Sequence, residues 1–336
     1  MPRVTVLMPA YNVGQWIHEA IESVLNQTFK DFVLLVIDDC STDNTAEVVH
    51  EFADSRVRYE KNEHNLGLAE NLNRGLELSD TEFCARMDGD DIAEPAWLER
   101  GVTVLDSHPE VGICSFGFQF FGTKTSLVRF PELHEDSKAQ MLFGCTVIVP
   151  VFRRRVMIDN NLRYRTEAFP AEDYDMWSRC YKVTQVYNVQ ETMFHYRMHE
   201  TQISTSKAEA QRQKSNAVRR NMLEWLSTEL SEEEKQCFLD VFVPGRIRTK
   251  DQYKQMRAFA AYLREKNQGH YSDEALKRKF DSHIQFSLYD SVLTDYFSDG
   301  YSVGKYVRYL RSGLAFHMSS KYELKLMVKS VLSKKK

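Results

Sequence analysis

Three carboxylates stand within four positions at Asp88-Gly89-Asp90-Asp91. They follow the short apolar run Phe83-Cys84-Ala85 and precede Ile92-Ala93-Glu94-Pro95, a pattern that reads as a strand entering a tight loop. Carboxylates this close repel unless solvent or a cation relieves them. A hard divalent cation does so with oxygen ligands, and Mg²⁺ or Mn²⁺ leaves positions for substrate phosphate and water. Asp88 and Asp90, two apart, could both turn toward one ion; a solvated acidic turn is the competing reading. A second acidic group, Glu172 and Asp173, opens a helical stretch that runs on through Tyr174-Asp175-Met176-Trp177. Acids in a first helical turn favour the helix dipole, which accounts for them structurally. A carboxylate held at so rigid a position also suits catalysis.

The segments around these groups must position them. Val4-Thr5-Val6-Leu7-Met8 and Phe32-Val33-Leu34-Leu35-Val36-Ile37 are continuous apolar runs, each ending in a polar tip: Pro9-Ala10-Tyr11-Asn12, then Asp38-Asp39-Cys40-Ser41-Thr42-Asp43. Between them Trp16, Ile17, Ala20, Ile21, Val24 and Leu25 fall at helical spacing. Arg56-Val57-Arg58-Tyr59 predicts a third strand, residues 66–78 a helix, and residues 82–87 a fourth strand. Apolar strands alternating with helices predict a doubly wound, mostly parallel sheet. Ligands bind such sheets beyond the carboxyl ends of the strands, so the three polar tips should line one crevice. No dinucleotide or P-loop glycine pattern is present. Further on, residues 95–108 read as a helix, 111–121 as an aromatic-rich strand and 146–152 as a buried strand entering Arg153-Arg154-Arg155. From residue 206 the chain reads as helical and mostly polar.

Composition bounds the rest. The 336 residues allow one large domain or two moderate ones. A net charge of −4 carries no nucleic-acid signal. The six cysteines are dispersed without a C-x-x-C pair, as expected for reduced thiols. The chain opens on Met1-Pro2-Arg3 with no signal-peptide pattern, and its longest apolar stretch, 141–152, is too short to span a bilayer. A cytoplasmic protein is expected. Residues 301–336 hold nine Lys/Arg against one acid, Glu323, interleaved with apolar residues. Such an end either lies on the inner face of an anionic membrane or packs on the protein with a frayed lysine tail.

The ordered motifs resemble those of the family 2 glycosyltransferases, inverting enzymes of the GT-A fold that use nucleotide-sugars. They are Val6-Leu7-Met8-Pro9-Ala10-Tyr11-Asn12, Val36-Ile37-Asp38-Asp39-Cys40-Ser41, Asn65-Leu66-Gly67 with Asn73-Arg74-Gly75, and Asp88-Gly89-Asp90-Asp91. Later come Phe152-Arg153-Arg154, Glu172-Asp173-Tyr174-Asp175 and Tyr196-Arg197-Met198-His199. The resemblance implies a GT-A domain over 1–205, with a nucleotide-sugar half (1–100) and an acceptor and catalytic half (101–205), followed by a helical region over 206–336. It implies a nucleobase bordered by Pro9, Ala10 and Tyr11 and bonded by Asp39, with Asn65, Asp88 and Gly89 in the same donor site. Asp88 and Asp90 would hold Mn²⁺ or Mg²⁺, with His199 approaching from the far side, and Asp173 would be the general base. Arg153, Arg154 and Glu172 would meet the acceptor or the diphosphate. The implied donor is a nucleotide-sugar, UDP-linked by preference. The implied acceptor is a glycan or lipid-linked hydroxyl in cell-surface polysaccharide, lipopolysaccharide or glycolipid synthesis. Leu72 stands where the family often has Arg, so one nucleotide contact is missing. No Q-x-x-R-W motif is present, which implies one sugar added per encounter. Two other readings share parts of the pattern: a sugar-phosphate nucleotidyltransferase, whose Gly-rich basic signature is absent here, and a non-catalytic nucleotide-sugar-binding module.

Overall fold

The computed structural model describes residues 1–123, 125–199, 202 and 206–333. Position 205, where a domain boundary is expected, and Lys334, Lys335 and Lys336 of the basic tail lie outside the described residues. The chain divides into two compact units, Met1–Val218 and Arg219–Lys336.

The first unit is built on one sheet. Strands β1 (Val4–Ala10) and β2 (Phe32–Asp38) are buried along almost their whole length, as two-faced coverage by helices demands. Helix α1 (Ile17–Leu25) buries Ile17, Ala20, Ile21 and Val24, the spacing of one helical face. Helix α2 (Thr45–His50), strand β3 (Val57–Lys61), helix α3 (Leu68–Leu78) and strand β4 (Phe83–Arg86) continue the alternation. These four strands pair in parallel in the order β3-β2-β1-β4. Leu72, on α3, is fully buried core.

Beyond β4 the sheet becomes mixed. The short β5 (Ile92–Ala93) leads to α4 (Trp97–Ser107), the long β6 (Val111–Gly122), β7 (Ser126–Val128) and α5 (His134–Met141). Then come β8 (Val151–Arg153), α6 (Arg154–Asp159), α7 (Glu172–Cys180) and β9 (Gln185–Met198). Among the described residues the sheet has nine strands in the order β3-β2-β1-β4-β8-β6-β9-β5, with β7 on β6. β8 runs antiparallel to both neighbours and β9 parallel to β6. The predicted fold class, a central sheet flanked by helices and followed by a helical region, is what the structure has, but the sheet is mixed rather than mostly parallel: β4–β8, β6–β8, β6–β7 and β5–β9 all pair antiparallel.

The strand expected over 146–152 is mostly not a strand. Only Val151–Arg153 joins the ladder, and Val149 takes φ +51, a conformation that opposes strand pairing for a β-branched residue. Side chains replace the missing ladder: Ser115 Oγ donates to the Ile148 carbonyl and accepts from its N–H, and Trp97 Nε1 donates to the Val149 carbonyl at 3.1 Å. Gly101 lets α4 approach β8, since a Cβ there would lie 2.5 Å from Val151 Cγ2.

In the second unit, α8 (Ala208–Leu226) crosses in from the first, followed by α9 (Glu232–Cys237), α10 (Lys250–Glu265), α11 (Asp273–Phe297), α12 (Val303–Arg311) and α13 (Ser320–Leu332). Ser231 and Thr249 start α9 and α10 with reciprocal capping boxes. Phe238, Phe242, Phe280, Ile284 and Leu288 form its apolar interior. Among the described residues no helix is long and apolar enough to cross a membrane.

Arg153 is held by this scaffold. Its buried guanidinium donates to the carbonyls of Leu105, His108 and Val111. The Leu105 and His108 carbonyls lie in and just after the last turn of α4, where orphan acceptors and the negative end of the dipole favour a cation, and the Val111 carbonyl opens β6. Replacing Arg153 with Met should therefore destabilise the fold by roughly 2 kcal/mol and leave nucleotide affinity unchanged. A denaturation midpoint and a UDP titration on the same variant check both halves.

Candidate active site

The parallel register places the carboxyl ends of β1, β2 and β4 side by side, with Ala10 opposite Asp38 and Leu7 opposite Arg86. The loops that follow are stitched together. Asn12, at φ +53, uses Oδ1 to accept the Thr42 N–H at 2.9 Å, while its own N–H donates to Ser41 Oγ. Val13 N–H donates to Thr45 Oγ1 and Gly14 N–H to Asp43 Oδ2. Asn tolerates the left-handed conformation, and its amide oxygen bonds the loop after β2 instead of its own turn.

The adjacent acids Asp38 and Asp39 do different work. Asp38, fully buried, accepts from Ser41 N–H at 2.8 Å and from the Tyr59 hydroxyl at 2.5 Å, so it holds the loop. Asp39 accepts from Asn62 Nδ2 and Leu66 N–H on one oxygen and from Gly67 N–H on the other. The second oxygen retains acceptor capacity. Asn65 donates to the Asp39 carbonyl.

The acidic loop after β4 is sorted in the same way. Asp91, buried, accepts the Arg197 N–H at 2.8 Å, and Arg197 Nε donates to the Asp90 carbonyl. The Arg197 guanidinium also pairs with Glu19 of α1, so the end of β9 is tied to the loop. Asp90 Oδ2 lies 3.1 Å from His199 Nε2, and the His199 ring stacks on Trp16 at a centroid distance of 4.1 Å. Burial and the nearby Asp88 push the Asp90 carboxyl above the ordinary range, and His199 restrains that shift. Asp88 faces Arg86, with contacts of 3.1 and 3.2 Å to Nε and Nη2.

Arg86, at the last position of β4, opposes more than Asp88. Burial works against its charge, but Asp88, Tyr164, Glu172 and Asp173 together more than offset this and hold it firmly protonated. Glu172 and Asp173 open α7. Asp173, half-buried, accepts the Tyr174 N–H at 2.6 Å. Burial raises the Asp173 carboxyl, with Arg86 pulling it back. Glu172 is pushed up to about 7, by burial first and by the adjacent Asp173 second.

These groups line one cavity of about 630 Å³, a volume suited to a small-molecule ligand. Pro9, Ala10, Tyr11, Asp39, Asn65, Asp88, Gly89, Asp90, Glu172, Asp173 and His199 all border it. Arg153 and Arg154 do not; they line a separate cavity of about 410 Å³ with Thr81, Glu82 and Asp159. Arg154 donates to the Leu76 carbonyl. Arg86 and Trp16 border the large cavity without having been singled out from sequence. Arg86 stands two positions before the acidic motif, a placement that could have flagged it. Trp16 reads as a core position of an amphipathic helix, yet it precedes α1 and is only half-buried.

A divalent cation fits this donor set in a limited way. Among the described residues no group of three or more His, Cys, Asp and Glu is arranged to hold a metal. Asp90 and His199 converge, however, and their carboxylate–imidazole pair suits an ion whose remaining positions are filled by phosphate and water.

A family model for glycosyl transferase family 2 matches residues 5–153. An uncharacterized glycosyltransferase of Haemophilus influenzae is 31% identical over 234 residues, covering 65% of this chain and 72% of that one. The Escherichia coli UDP-Glc:alpha-D-GlcNAc-diphosphoundecaprenol beta-1,3-glucosyltransferase WfgD is 29% identical over 209 residues, covering 61% of this chain and 80% of that one. In structure the chain is similar to residues 1–349 of Staphylococcus aureus TarS in complex with UDP-GlcNAc. That match has a TM-score of 0.59 at 19% identity and covers 88% of this chain and 87% of that one. The strand-end crevice and these likenesses agree, and the chain belongs to glycosyltransferase family 2 and is a glycosyltransferase.

Proposed function

We propose that the chain moves one sugar from a UDP-sugar to an acceptor hydroxyl with inversion, on the cytoplasmic side of cell-surface polysaccharide or glycolipid synthesis. The observation that carries this reading is the convergence of Asp39, the Asp90–His199 pair and Asp173 on one cavity. WfgD's name specifies a UDP-sugar and a lipid-linked acceptor, and TarS binds UDP-GlcNAc, which supports a UDP-linked donor and a glycan or lipid-linked acceptor here.

In this reading the nucleobase lies against Pro9, Ala10 and Tyr11, and the free acceptor capacity of Asp39 takes its ring N–H. Asn65 and Gly89 shape the same subsite by keeping the loops close; a Cβ at Gly89 would lie 3.2 Å from Val13 Cγ2. Asp90 and His199, with Asp88, would hold Mn²⁺ or Mg²⁺, which when bound neutralises charge on a leaving diphosphate. Arg86 keeps Asp88 oriented and supplies a fixed positive charge beside α7. Asp173 takes the acceptor proton as general base while the hydroxyl attacks the anomeric carbon opposite the diphosphate. Glu172, beside it, borders the acceptor side. No covalent enzyme intermediate is required.

Replacing Asp173 with Asn should lower kcat at least about a hundredfold while leaving UDP affinity unchanged; normal turnover would sink the base assignment. Calorimetric titration of UDP, GDP and dTDP with and without Mn²⁺ should find UDP favoured and its binding metal-dependent. Asp90→Ala should abolish that metal dependence, and an unaltered titration would remove Asp90 from the metal site. The charged and titratable groups facing Asp173 are Arg86, Asp88, Tyr164, Glu172 and Cys145. Because Asp173 ionises above the ordinary carboxylate range, kcat should rise with pH through a midpoint above that of an exposed aspartate. A kcat profile already flat across that range would contradict this.

A further inference from the structure

The helices that close the second unit each carry two apolar faces, and the protein covers only one of them. In α13, Leu326 and Ser330 are buried on the inner face. On the outer face Leu324, Met327, Val328, Val331 and Leu332 are exposed, from 39% for Met327 to 73% for Leu332. Their spacing of i, i+3, i+4, i+7 and i+8 makes a continuous stripe. Lys321, Lys325 and Lys329, four residues apart, form a row along one edge of it. Helix α12 repeats the arrangement: Tyr309 faces inward, while Val303, Val307 and Leu310 are exposed beside Arg308 and Arg311. In the turn between the helices Phe316 is 85% exposed.

Single exposed apolar side chains are ordinary, but two successive stripes edged by cations and an exposed aromatic between them are not. Acids in this stretch are also few. Glu323 is the only carboxylate in sequence between residues 300 and 333, and it accepts from the hydroxyls of Tyr306 and Tyr309 at 2.6 Å each. Asp299 is held by Lys305.

We infer that this face of α12, α13 and the turn at Phe316 lies on an anionic phospholipid surface. The apolar stripes enter the boundary between headgroups and acyl chains, and the Lys and Arg side chains reach the phosphates along their edges. A second copy of the chain is the poorer occupant, because it would set two cationic faces against each other. Hydrophobic burial and cationic attraction act together here, and stable attachment of a peripheral protein needs two such signals. The inference stands apart from donor and base assignments, since none of these residues borders the 630 Å³ cavity.

The test is co-sedimentation of the full chain with phosphatidylcholine vesicles, alone and with about 30% phosphatidylglycerol. Two variants are compared: Phe316→Ser with Leu324→Ser, Val328→Ser and Val331→Ser, and Arg308→Gln with Arg311→Gln and Lys321→Gln. All seven side chains are exposed, and circular dichroism confirms that the helices persist. The wild-type chain should bind the anionic vesicles at least about tenfold more tightly than the neutral ones, and each variant should lose at least about tenfold. Added salt should weaken the wild type and the serine variant more than the glutamine variant, which keeps Lys325 and Lys329 but lacks three of the cations. The proposal is overturned by equal binding to both vesicle types, by no binding to either, or by variants that bind as the wild type does. It is equally overturned if the serine changes convert a dimer to a monomer in sedimentation velocity while vesicle binding is untouched.

Discussion

The chemistry of the crevice depends on one buried guanidinium. Arg86 ends β4 facing Asp88 two residues ahead and Glu172 and Asp173 on α7. Without a cation there, these carboxylates would stand in a low-dielectric setting with little but their mutual repulsion, and protonation would be the cheapest relief. Arg86 is itself costly to bury, so the cation and the acids justify each other. Tyr164 supports the arrangement, with the guanidinium 5.9 Å over its ring. This mutual dependence links strand β4 to the helix that carries the proposed base.

Adjacent acids in this fold are sorted by what the backbone offers them. Asp38 and Asp91 point into the scaffold, where N–H groups and a phenol hydroxyl absorb their charge. Asp39 and Asp90 point toward the cavity. In a strand or extended tip, successive side chains face opposite ways, so a doublet of acids delivers one to each side. The sequence pair Asp38-Asp39 is therefore one structural acid and one available acid.

Much of this was legible in the residues. The runs at 4–8 and 32–37 specify buried parallel strands, and their polar tips specify where a ligand goes. Asp39, Asp90, Asp173 and His199 reach the same cavity, as the ordered motifs imply. What was not legible depended on tertiary partners. Val147, Ile148 and Val149 look like a strand, but Ser115 and Trp97 supply hydrogen bonds that let the chain leave the ladder. Strand β9 is hidden because Gln190 and Glu191 interrupt its apolar pattern where its register with β6 shifts. Arg153 reads as an acceptor or diphosphate contact because nothing local announces that the end of α4 will sit beside it.

The stack of His199 on Trp16 and the bond from Arg197 to Glu19 have a kinetic side. His199 meets Asp90 across 109 residues, and Arg197 meets Glu19 across 178. Contacts of such separation form only after long loops have closed, which makes them late in folding. A ribosome must therefore release nearly two hundred residues before the cavity has both its walls. Until then the site lacks its far-side histidine.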